Sequence, residues 1–333
     1  MTAGPLVVKL GSSLVVDDDV VRGRAADIGA LVSEGTPVCV VSSGAVALGL
    51  RRMNVERRPR SLPRLQAASA LGQPLLQRRW EDALAAHGVR TAQVLLTAAE
   101  IADRRAYVNA RNTLGELQRL GVVPVVNEND ATATDEISFG DNDALAAQVA
   151  VLVRAQLLVL LTSVEGVLDP EASVIPDGAA ARSAVFGRGS AFGRGGMESK
   201  VAAAELAAAA GVQTVIASGA EPLRDVLAGG GTRFAAHATG ESAFKLWLRF
   251  GKRVTGRLYV DAGAERAVRR RGASLLAVGV ARVEGAVRAG DGVELCTLEG
   301  NPFGRGISAL DAAELEARPP NAEAVHRDRL ILY

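Results

Sequence analysis

Two polar stretches of the chain carry residues that could bind a small charged ligand. An apolar run over residues 122–126 stops abruptly in Asn127-Glu128-Asn129-Asp130, as a buried strand does at a ligand crevice. The second stretch, Phe139-Gly140-Asp141-Asn142-Asp143, directly precedes a long helical pattern. Taken singly, the first is equally well a plain strand end, and the second a helix N-cap formed by Asp141 or a neighbour. Because so many short acceptors at the ends of hydrophobic elements are costly unless they bind something, we interpret both together as one wall of an active site.

Two further positions would suit an anionic ligand. Lys9 lies within the apolar run of residues 6–10, and because buried lysine is rare without a partner, this placement favours a functional role over an exposed strand end. Ser42-Ser43-Gly44-Ala45 follows a second buried strand. The small residues there either form a plain turn or bring backbone N–H groups close to an anion.

A glycine-rich segment over residues 187–196 leads into a helix whose first turn carries Lys200. The segment matches neither the Walker A loop nor the Rossmann fingerprint. Glycines nevertheless let backbone amides wrap a phosphate, and a cation in the first turn of a helix is unfavourable without an anion nearby. The alternative is a flexible loop followed by a solvated lysine.

The elements that carry these residues alternate between strand and helix, and the strands are continuous apolar runs. This pattern predicts an α/β fold with a mostly parallel sheet sandwiched by helices, and ligands at the carboxyl ends of the strands. After residues 238–252 the pattern changes to short strands and turns, which predicts a small β-rich domain. We therefore predict domains at residues 1–240 and 253–333, with a linker at residues 241–252.

The composition argues against several classes of protein. A formal net charge of +1 indicates neither nucleic acid nor an acidic membrane as a general partner. The most apolar region, residues 144–161, is interrupted by Gln148, Arg154 and Gln156, so we expect a buried helix and strand there and no membrane partner. No apolar segment precedes the first strand, and Cys39 and Cys296 fit reduced core thiols, which together favour a cytoplasmic protein. The three histidines do not have the spacing of a zinc site.

The C-terminal part of the chain is mildly basic. Residues 249–333 hold 14 basic and 11 acidic residues, a difference of +3. A cluster of arginines, Arg266, Arg269, Arg270 and Arg271, lies on a helical pattern. These side chains either contact RNA phosphates or form a solvated helix face.

The order of these motifs resembles that of the glutamate 5-kinases, a family of the amino acid kinase superfamily, over nearly the whole chain. The resemblance rests on Lys9-Leu10-Gly11-Ser12-Ser13, Ser42-Ser43-Gly44-Ala45, Asn127-Glu128-Asn129-Asp130, Phe139-Gly140-Asp141-Asn142-Asp143 and Gly195-Gly196-Met197-Glu198-Ser199-Lys200. The tail resembles the PUA domain that many members carry, at Arg271-Gly272-Ala273-Ser274-Leu275-Leu276 and Gly290-Asp291-Gly292-Val293. Acetylglutamate kinases differ, because they usually have a Gly-Gly-Gly loop in place of Ser-Ser-Gly and lack the PUA tail.

The resemblance implies the amino acid kinase fold and transfer of the γ-phosphoryl group of ATP to the side-chain carboxylate of L-glutamate, the first step towards proline. It maps the ATP contacts to Lys9, Thr162, Ser163, Arg194, Gly195, Gly196, Met197, Glu198, Ser199 and Lys200. It maps the glutamate contacts to Ser43, Asp130 and Asn142, in loops that also contain Gly44 and Asn127.

The residue types agree with that chemistry. A carboxylate nucleophile is already ionised at neutral pH, so the enzyme needs no general base and must instead hold two anions in line. Lys9 and Lys200 suit a positive clamp, and Asp143 can hold both ammonium groups in place. We expect Mg²⁺ to be carried largely by the nucleotide phosphates and water.

Within the substrate loops, the residue types suit a free amino acid. Asp130 can receive an α-ammonium group, and Ser43 with the Gly44 N–H can receive a carboxylate.

Several positions depart from the family pattern. Ser163 stands where the family usually has Asp, Arg194 stands where Thr is common, and the segment between Ser163 and Phe186 is shorter than usual. The tail is also abbreviated near Pro319-Pro320. We expect these differences to change the details of ATP binding and to leave the reaction type intact.

Two alternative functions stay open at this point. The chain could be a kinase of the same fold acting on another small acid, or an RNA-binding regulator with a vestigial kinase domain. The PUA-like tail motivates the second alternative, and the intact Lys9, Asp143 and Lys200 argue against it. The resemblance also suggests a homo-oligomer, either a dimer or a tetramer. As a hypothesis, proline, which inhibits many members of the family, competes with glutamate at the glutamate loops.

Overall fold

The computed structural model describes residues 4–97, 100–101, 103–132, 141–186, 196–237, 240, 243–246, 248–249, 252 and 254–333. The side chains of Arg104, Asp141 and Ala243 are not part of this description. The chain divides into two compact units, Met1–Gly240 and Glu241–Tyr333. Within the part described, no helix is both long enough and apolar enough to cross a membrane.

The first unit is built on a seven-stranded sheet with the order β3-β4-β2-β1-β5-β6-β7. Its neighbouring strands are parallel except at β7, which runs antiparallel to β6 at one edge. The strands are β1 Leu6–Leu10, β2 Val38–Ser42, β3 Arg90–Leu96, β4 Val122–Glu128, β5 Leu157–Thr162, β6 Gln213–Ser218 and β7 Thr232–Phe234. The mostly parallel sheet predicted from the continuous apolar runs is therefore confirmed.

Helices connect these strands and cover the sheet. Those described in the first unit are α1 Ser12–Val15, α2 Asp18–Ser33, α3 Ala45–Arg52, α4 Leu62–Ala85, α5 Arg104–Arg119, α6 Asp141–Leu152, α7 Gly178–Phe186, α8 Gly196–Ala209 and α9 Leu223–Ala228. Asp17 begins α2, since its carboxylate accepts from the backbone N–H groups of Asp19 and Val20. Asp103 caps α5 in the same way.

Alternation along β1 determines which residues meet the helices on each side. Val8 and Leu10 pack into a core with α2 and α4, where Ile28 and Trp80 are fully buried. Successive side chains of a strand point to opposite faces, so Lys9 projects to the other face of the sheet. That face is the one on which α6 and α8 lie.

Two glycines allow α3 and α4 to pack with their backbones in direct contact. A Cβ atom added at Gly49 would lie 1.7 Å from the carbonyl oxygen of Ala68, and one added at Gly72 would lie 1.8 Å from that of Ala45. Neither obstacle is a flexible side chain, so the helices would have to separate. Since α3 starts directly after Ser43-Gly44, this packing holds the start of α3 against α4.

We expect Gly72→Ala to lower the free energy of unfolding by about 3 kcal/mol or more, because the new methyl group overlaps backbone atoms. Gly23→Ala in α2 is the matched control, since a Cβ there would have nothing within 4 Å. It should raise stability by up to about 1 kcal/mol through helix propensity. Urea unfolding of both variants measures the difference. Equal stability of the two variants would contradict the close packing.

The second unit is rich in strands, as the sequence predicted. Its strands are β8 Val254–Val260, β9 Leu275–Leu276, β10 Val280–Gly285, β11 Gly292–Cys296, β12 Pro302–Ile307, β13 Glu323–Val325 and β14 Leu330–Leu332. Five of them form a sheet with the order β10-β8-β11-β12-β14, and β13 pairs with β9. Its helices are α10 Ala243–Leu246, α11 Ala262–Arg271 and α12 Ala312–Ala317. Short 3-10 turns lie at Ala277–Gly279 and Arg327–Arg329.

The core of the second unit contains Leu258, Leu295, Phe303 and Val325. Cys296 in this unit and Cys39 in the first are both buried and unpaired, which agrees with the expectation of reduced core thiols. Burial raises the pKa of the Cys39 thiol to about 12, so this thiol is inert at neutral pH.

Candidate active site

One buried carboxylate holds two lysines that come from opposite ends of the first unit. Lys9 Nζ lies 2.5 Å from Asp143 Oδ1, and Lys200 Nζ lies 3.2 Å from Asp143 Oδ2. The Ser199 hydroxyl also donates to Asp143 Oδ2, at 2.9 Å. Exposure is 1% for Asp143, 3% for Lys9 and 9% for Lys200. The structure thus brings together the three residues that the sequence analysis proposed as a catalytic group.

Three separate elements position these side chains. Lys9 comes from β1 at the centre of the sheet, Asp143 from the first turn of α6, and Lys200 from the start of α8. The N-terminal ends of helices carry partial positive charge, which favours Asp143 and disfavours Lys200. Lys200 is therefore at a position that suits a second anion in addition to Asp143.

Burial and charge shift the ionisation of this cluster. Burial by itself raises the pKa of the Asp143 carboxyl, but the attraction of Lys9 and Lys200 and the hydrogen bonds from Lys9 and Ser199 outweigh it. The Asp143 pKa consequently lies below its usual value. Burial lowers the pKa of Lys9; Asp143 opposes this shift and the neighbouring charge of Lys200 adds to it. The cluster has two cations for one anion, so a further anion would complete its charge balance.

The use of lysine at these two positions stands out against the composition. Only four of the 38 basic residues in the chain are lysines, and the rest are arginines. Two of those four are buried on Asp143. A lysine ammonium is a compact point charge, whereas a guanidinium is a broad planar fork. The choice of side chain fits a site that needs two closely spaced point charges.

A cavity of about 350 Å³ lies beside this cluster. Its lining includes the residues that the sequence analysis assigned to the substrate, namely Lys9, Ser43, Gly44, Asn127, Asp130 and Asn142. Gly44 has a φ of +115°, which an L side chain rarely adopts, so glycine suits the turn that leads from β2 into α3. Arg51, Glu56 and Arg58 contribute to another part of the lining.

The cavity lining includes buried acceptor groups as well as the cations Lys9, Arg51 and Arg58. Asn127 is 1% exposed and Asp130 is 8% exposed. Among the described residues, Asn127 Oδ1 and Asn142 Oδ1 are buried and have no hydrogen-bond partner. Unsatisfied buried acceptors are costly, so these oxygens are suited to a ligand that brings N–H donors.

Several residues assigned to the nucleotide lie at the same edge of the sheet. Thr162 ends β5, and Ser163 follows it as an exposed residue. Because β5 pairs with β1 in the register Leu10↔Leu161, Thr162 lies at the carboxyl end of the sheet next to the strand of Lys9. Gly196, Met197, Glu198 and Ser199 form the start of α8. The lining of the cavity does not include these nucleotide-side residues.

Some of the residues proposed from the sequence lie outside the described residues. They are Arg194 and Gly195 in the segment 187–195, and Phe139 and Gly140 in the segment 133–140. The same holds for the Asp141 side chain that was considered as a helix cap.

Sequence reasoning missed the polar residues that α4 directs towards the site. Ser69 Oγ donates to Asp130 Oδ2 at 2.8 Å, and Gln73 Oε1 accepts from Asn127 Nδ2 at 2.8 Å. Trp80 Nε1 donates to Ser42 Oγ at 2.9 Å. The available signal was a pair of polar residues four apart on the buried face of an otherwise amphipathic helix, which the residue pattern alone does not distinguish from a surface face.

The described residues also bear on how a magnesium ion could be held. Within them, no group of three or more His, Cys, Asp and Glu residues is arranged to hold a metal ion. The one carboxylate buried between the lysines has both oxygens engaged by ammonium groups. This donor set fits a Mg²⁺ that arrives with nucleotide phosphates and keeps much of its water.

Comparison with known proteins identifies the family and the domains of the chain. The model of the amino acid kinase family matches residues 4–218, and the PUA domain model matches residues 256–320. "Glutamate 5-kinase" of Burkholderia thailandensis is 43% identical over 98% of this chain and 97% of its own length. "Glutamate 5-kinase" of Methylobacillus flagellatus is 42% identical over 100% of this chain and 98% of its own length.

Solved structures agree on the fold. Carbamate kinase from Giardia has a TM-score of 0.53 at 18% identity, and the match covers 71% of this chain and 100% of that one. N-acetylglutamate synthase from Neisseria gonorrhoeae has the same TM-score and identity, with 91% and 74% covered. At this identity the structures show the amino acid kinase fold alone. The full-length relatives carry the assignment further: the chain belongs to the glutamate 5-kinase branch of the amino acid kinase family.

Proposed function

We propose that the chain transfers the γ-phosphoryl group of ATP to the side-chain carboxylate of L-glutamate, giving glutamyl 5-phosphate for proline biosynthesis. The observation that carries this proposal is the pair of buried lysines on Asp143 beside a cavity whose lining includes Asn127, Asp130 and Asn142. The near full-length relatives named glutamate 5-kinase support it.

In this proposal the enzyme positions two anions and neutralises charge during transfer. The glutamate carboxylate is ionised at neutral pH and attacks without a general base. Lys9 and Lys200 lie on the two oxygens of Asp143, so both ammonium groups are held in place before the substrates arrive. Such preorganised charges stabilise the phosphoryl group while it moves between donor and acceptor oxygens. Mg²⁺ arriving with ATP would supply additional charge neutralisation.

The cavity lining gives each end of the amino acid a partner. We assign the α-ammonium group to Asp130 and to the free acceptors Asn127 Oδ1 and Asn142 Oδ1. We assign the α-carboxylate to the Ser43 hydroxyl and the Gly44 N–H. The side-chain carboxylate then points to Lys9, which also lines the cavity.

The assignment of the nucleotide contacts is supported by where these residues lie along the sheet. We propose that Thr162, Ser163, Gly196, Met197, Glu198 and Ser199 contact ATP, together with Arg194 and Gly195. Thr162 and α8 lie at the carboxyl end of the sheet, where parallel sheets bind ligands. Ser163 is exposed and uncharged, so any nucleotide contact that it makes is a neutral one.

Other properties remain proposals of the same kind. We propose a kinase domain at residues 1–240, a linker at 241–252 and a PUA-like domain at 253–333, with a cytoplasmic location and a dimeric or tetrameric assembly. RNA binding by the second unit is a further prediction. Arg269 pairs with Glu265 and stacks on Phe303, whereas the side chains of Arg266, Arg270 and Arg271 are exposed on α11. The assembled Lys9, Asp143 and Lys200 cluster argues against a vestigial kinase.

Trapping the acyl phosphate with hydroxylamine tests the proposed reaction. We expect ATP-dependent hydroxamate formation with L-glutamate and little with aspartate, N-acetylglutamate or glutarate, because only glutamate combines the free ammonium group with the right length. Hydroxamate formed only from N-acetylglutamate, or from no acid in the panel, would contradict the proposal.

Adding proline to the same assay tests the inhibitor hypothesis. If proline occupies the glutamate loops, it should raise the KM for glutamate and leave kcat unchanged. Glutamate kinetics that stay the same over increasing proline would refute the hypothesis.

A further inference from the structure

We infer that α4 sets the preference of the site for a substrate with a free α-ammonium group, through Ser69 and Gln73 acting as positioning residues. The inference rests on the proposed function and extends it to residues that do not line the cavity. We call Ser69, Gln73 and Trp80 the polar face of α4.

Ser69 holds the carboxylate that we assign to the substrate ammonium. Its hydroxyl donates to Asp130 Oδ2 at 2.8 Å, and both side chains are buried, with exposures of 4% and 8%. A hydrogen bond to a buried carboxylate favours one rotamer of that carboxylate. Ser69 therefore determines the direction in which Asp130 presents its charge.

Gln73 bonds to the neighbouring amide of Asn127. Its Oε1 accepts from Asn127 Nδ2 at 2.8 Å, so Asn127 gives its donor side to the helix. Its acceptor, Oδ1, is buried without a partner among the described residues, and Asn127 lines the cavity. In this arrangement Asn127 offers an acceptor to the cavity, and Gln73 Nε2 is also buried without a partner among the described residues.

The third contact ties the helix to the loop that follows β2. Trp80 is fully buried and donates to Ser42 Oγ at 2.9 Å, directly before Ser43 and Gly44. The close packing of Gly72 against Ala45 fixes the same helix against the start of α3. One helix thus contacts two of the segments that line the cavity, residues 127–130 and residues 42–45.

Stability alone does not account for these polar contacts. Apolar side chains at the polar face of α4 could be buried there without the cost of desolvating hydroxyl and amide groups. The bonds of Ser69 and Gln73 end on residues that line the cavity. Gln77, one turn further along, bonds instead to Thr91 Oγ1 on β3, away from the cavity. Gln73 and Gln77 thus allow a direct comparison on one helix, because Gln73 bonds to a residue of the cavity lining and Gln77 does not.

The arrangement predicts which substrates are rejected. Asp130 and Asn127 Oδ1 both accept hydrogen bonds, so they match an ammonium group with its three donors. An N-acylated acid brings a carbonyl oxygen and a single N–H, and glutarate brings no donor at that position. Both would leave a buried acceptor unpaired, which is the most effective basis for discrimination.

Steady-state kinetics of the full chain test the inference, with L-glutamate and glutarate as alternative substrates in the hydroxylamine assay. We expect Ser69→Ala and Gln73→Leu each to raise the KM for glutamate about 10-fold, from the loss of one buried hydrogen bond to a recognition group. The KM for ATP and kcat should stay near the wild-type values. The preference for glutamate over glutarate in kcat/KM should fall by about the same factor. Ser69→Thr, which keeps the hydroxyl, should restore the preference.

Gln77→Leu is the control and should behave as the wild type, since it removes the same side chain from the same helix away from the cavity. The inference is overturned if Ser69→Ala and Gln73→Leu match Gln77→Leu, or if they lose thermal stability while the preference stays unchanged. Ser69→Ala removes one oxygen atom from a helix residue, so it decides the matter even if Gln73→Leu does not fold. A wild-type chain that forms no glutamyl hydroxamate would instead defeat the proposed function itself.

Discussion

Replacing Lys200 by methionine is expected to lower kcat by about 10²- to 10³-fold, the usual cost of removing one preorganised charge contact from a transition state. Methionine has a similar length and no charge, so packing at the start of α8 is largely retained. Lys9 and Asp143 keep their 2.5 Å contact in this variant, and the protein should therefore stay folded. Kinetics with glutamate and ATP at saturation measure the effect.

The expectation for Lys200 depends on its position near the partial positive charge at the N-terminal end of α8. Lys200 is 9% exposed and lies near the N-terminal end of a helix, where a cation is least favourable. A structural lysine would not be needed there, because Lys9 alone can neutralise Asp143. Lys245→Met is the control, since it removes a lysine that belongs to the second unit. A Lys200→Met enzyme with the kcat of the control would contradict the role of the clamp.

Asp143→Asn is expected to have the second large effect, on stability as well as on turnover. The substitution leaves two buried ammonium groups close together without their carboxylate. Breaking a buried ion pair by removing one partner costs about 3–5 kcal/mol. We also expect kcat to fall by at least about 10²-fold, because neither lysine is then held in place. Urea unfolding and steady-state kinetics measure the two effects.

The lowered pKa of Asp143 determines how its contribution to stability changes with pH. The Asp143 pKa is lowered in the folded protein, so its contribution to stability is present above the ordinary aspartate pKa and is lost as the pH falls through the lowered value. The stability gap between wild type and Asp143→Asn should accordingly narrow in acid. Asp82→Asn, at an exposed position on α4, should have nearly the same free energy of unfolding as the wild type. If Asp143→Asn were as stable as the wild type at neutral pH, the ion-pair arrangement would be contradicted.

Much of the first unit could be predicted from the sequence because buried parallel strands leave a strong pattern. The apolar runs of β1, β2 and β5 end in the polar residues that the structure places at one edge of the sheet. Lys9 within such a run was an indication of function before any geometry was known. The separation of Lys9, Asp143 and Lys200 along the chain was no obstacle, because the carboxyl ends of parallel strands meet at one edge.

The supporting contacts of the site could not be predicted in the same way. Ser69 and Gln73 are ordinary residues in a long helix, and their role appears only when the rotation of α4 against β4 is known. The helix Gly178–Phe186 was missed because its Ala-rich segment follows a turn and lacks a clear amphipathic pattern. In the second unit a 3-10 turn at Ala277–Gly279 separates β9 from β10, a local break that the residue pattern does not reveal.

The most direct test of the account is a crystal structure of the chain with a non-hydrolysable ATP analogue, Mg²⁺ and L-glutamate. We expect both Lys9 Nζ and Lys200 Nζ to lie within about 3 Å of oxygens on the terminal phosphate while Asp143 stays between them. The glutamate ammonium should meet Asp130 in the same complex. A complex in which either ammonium group contacts Asp143 alone, well away from the terminal phosphate, would contradict it.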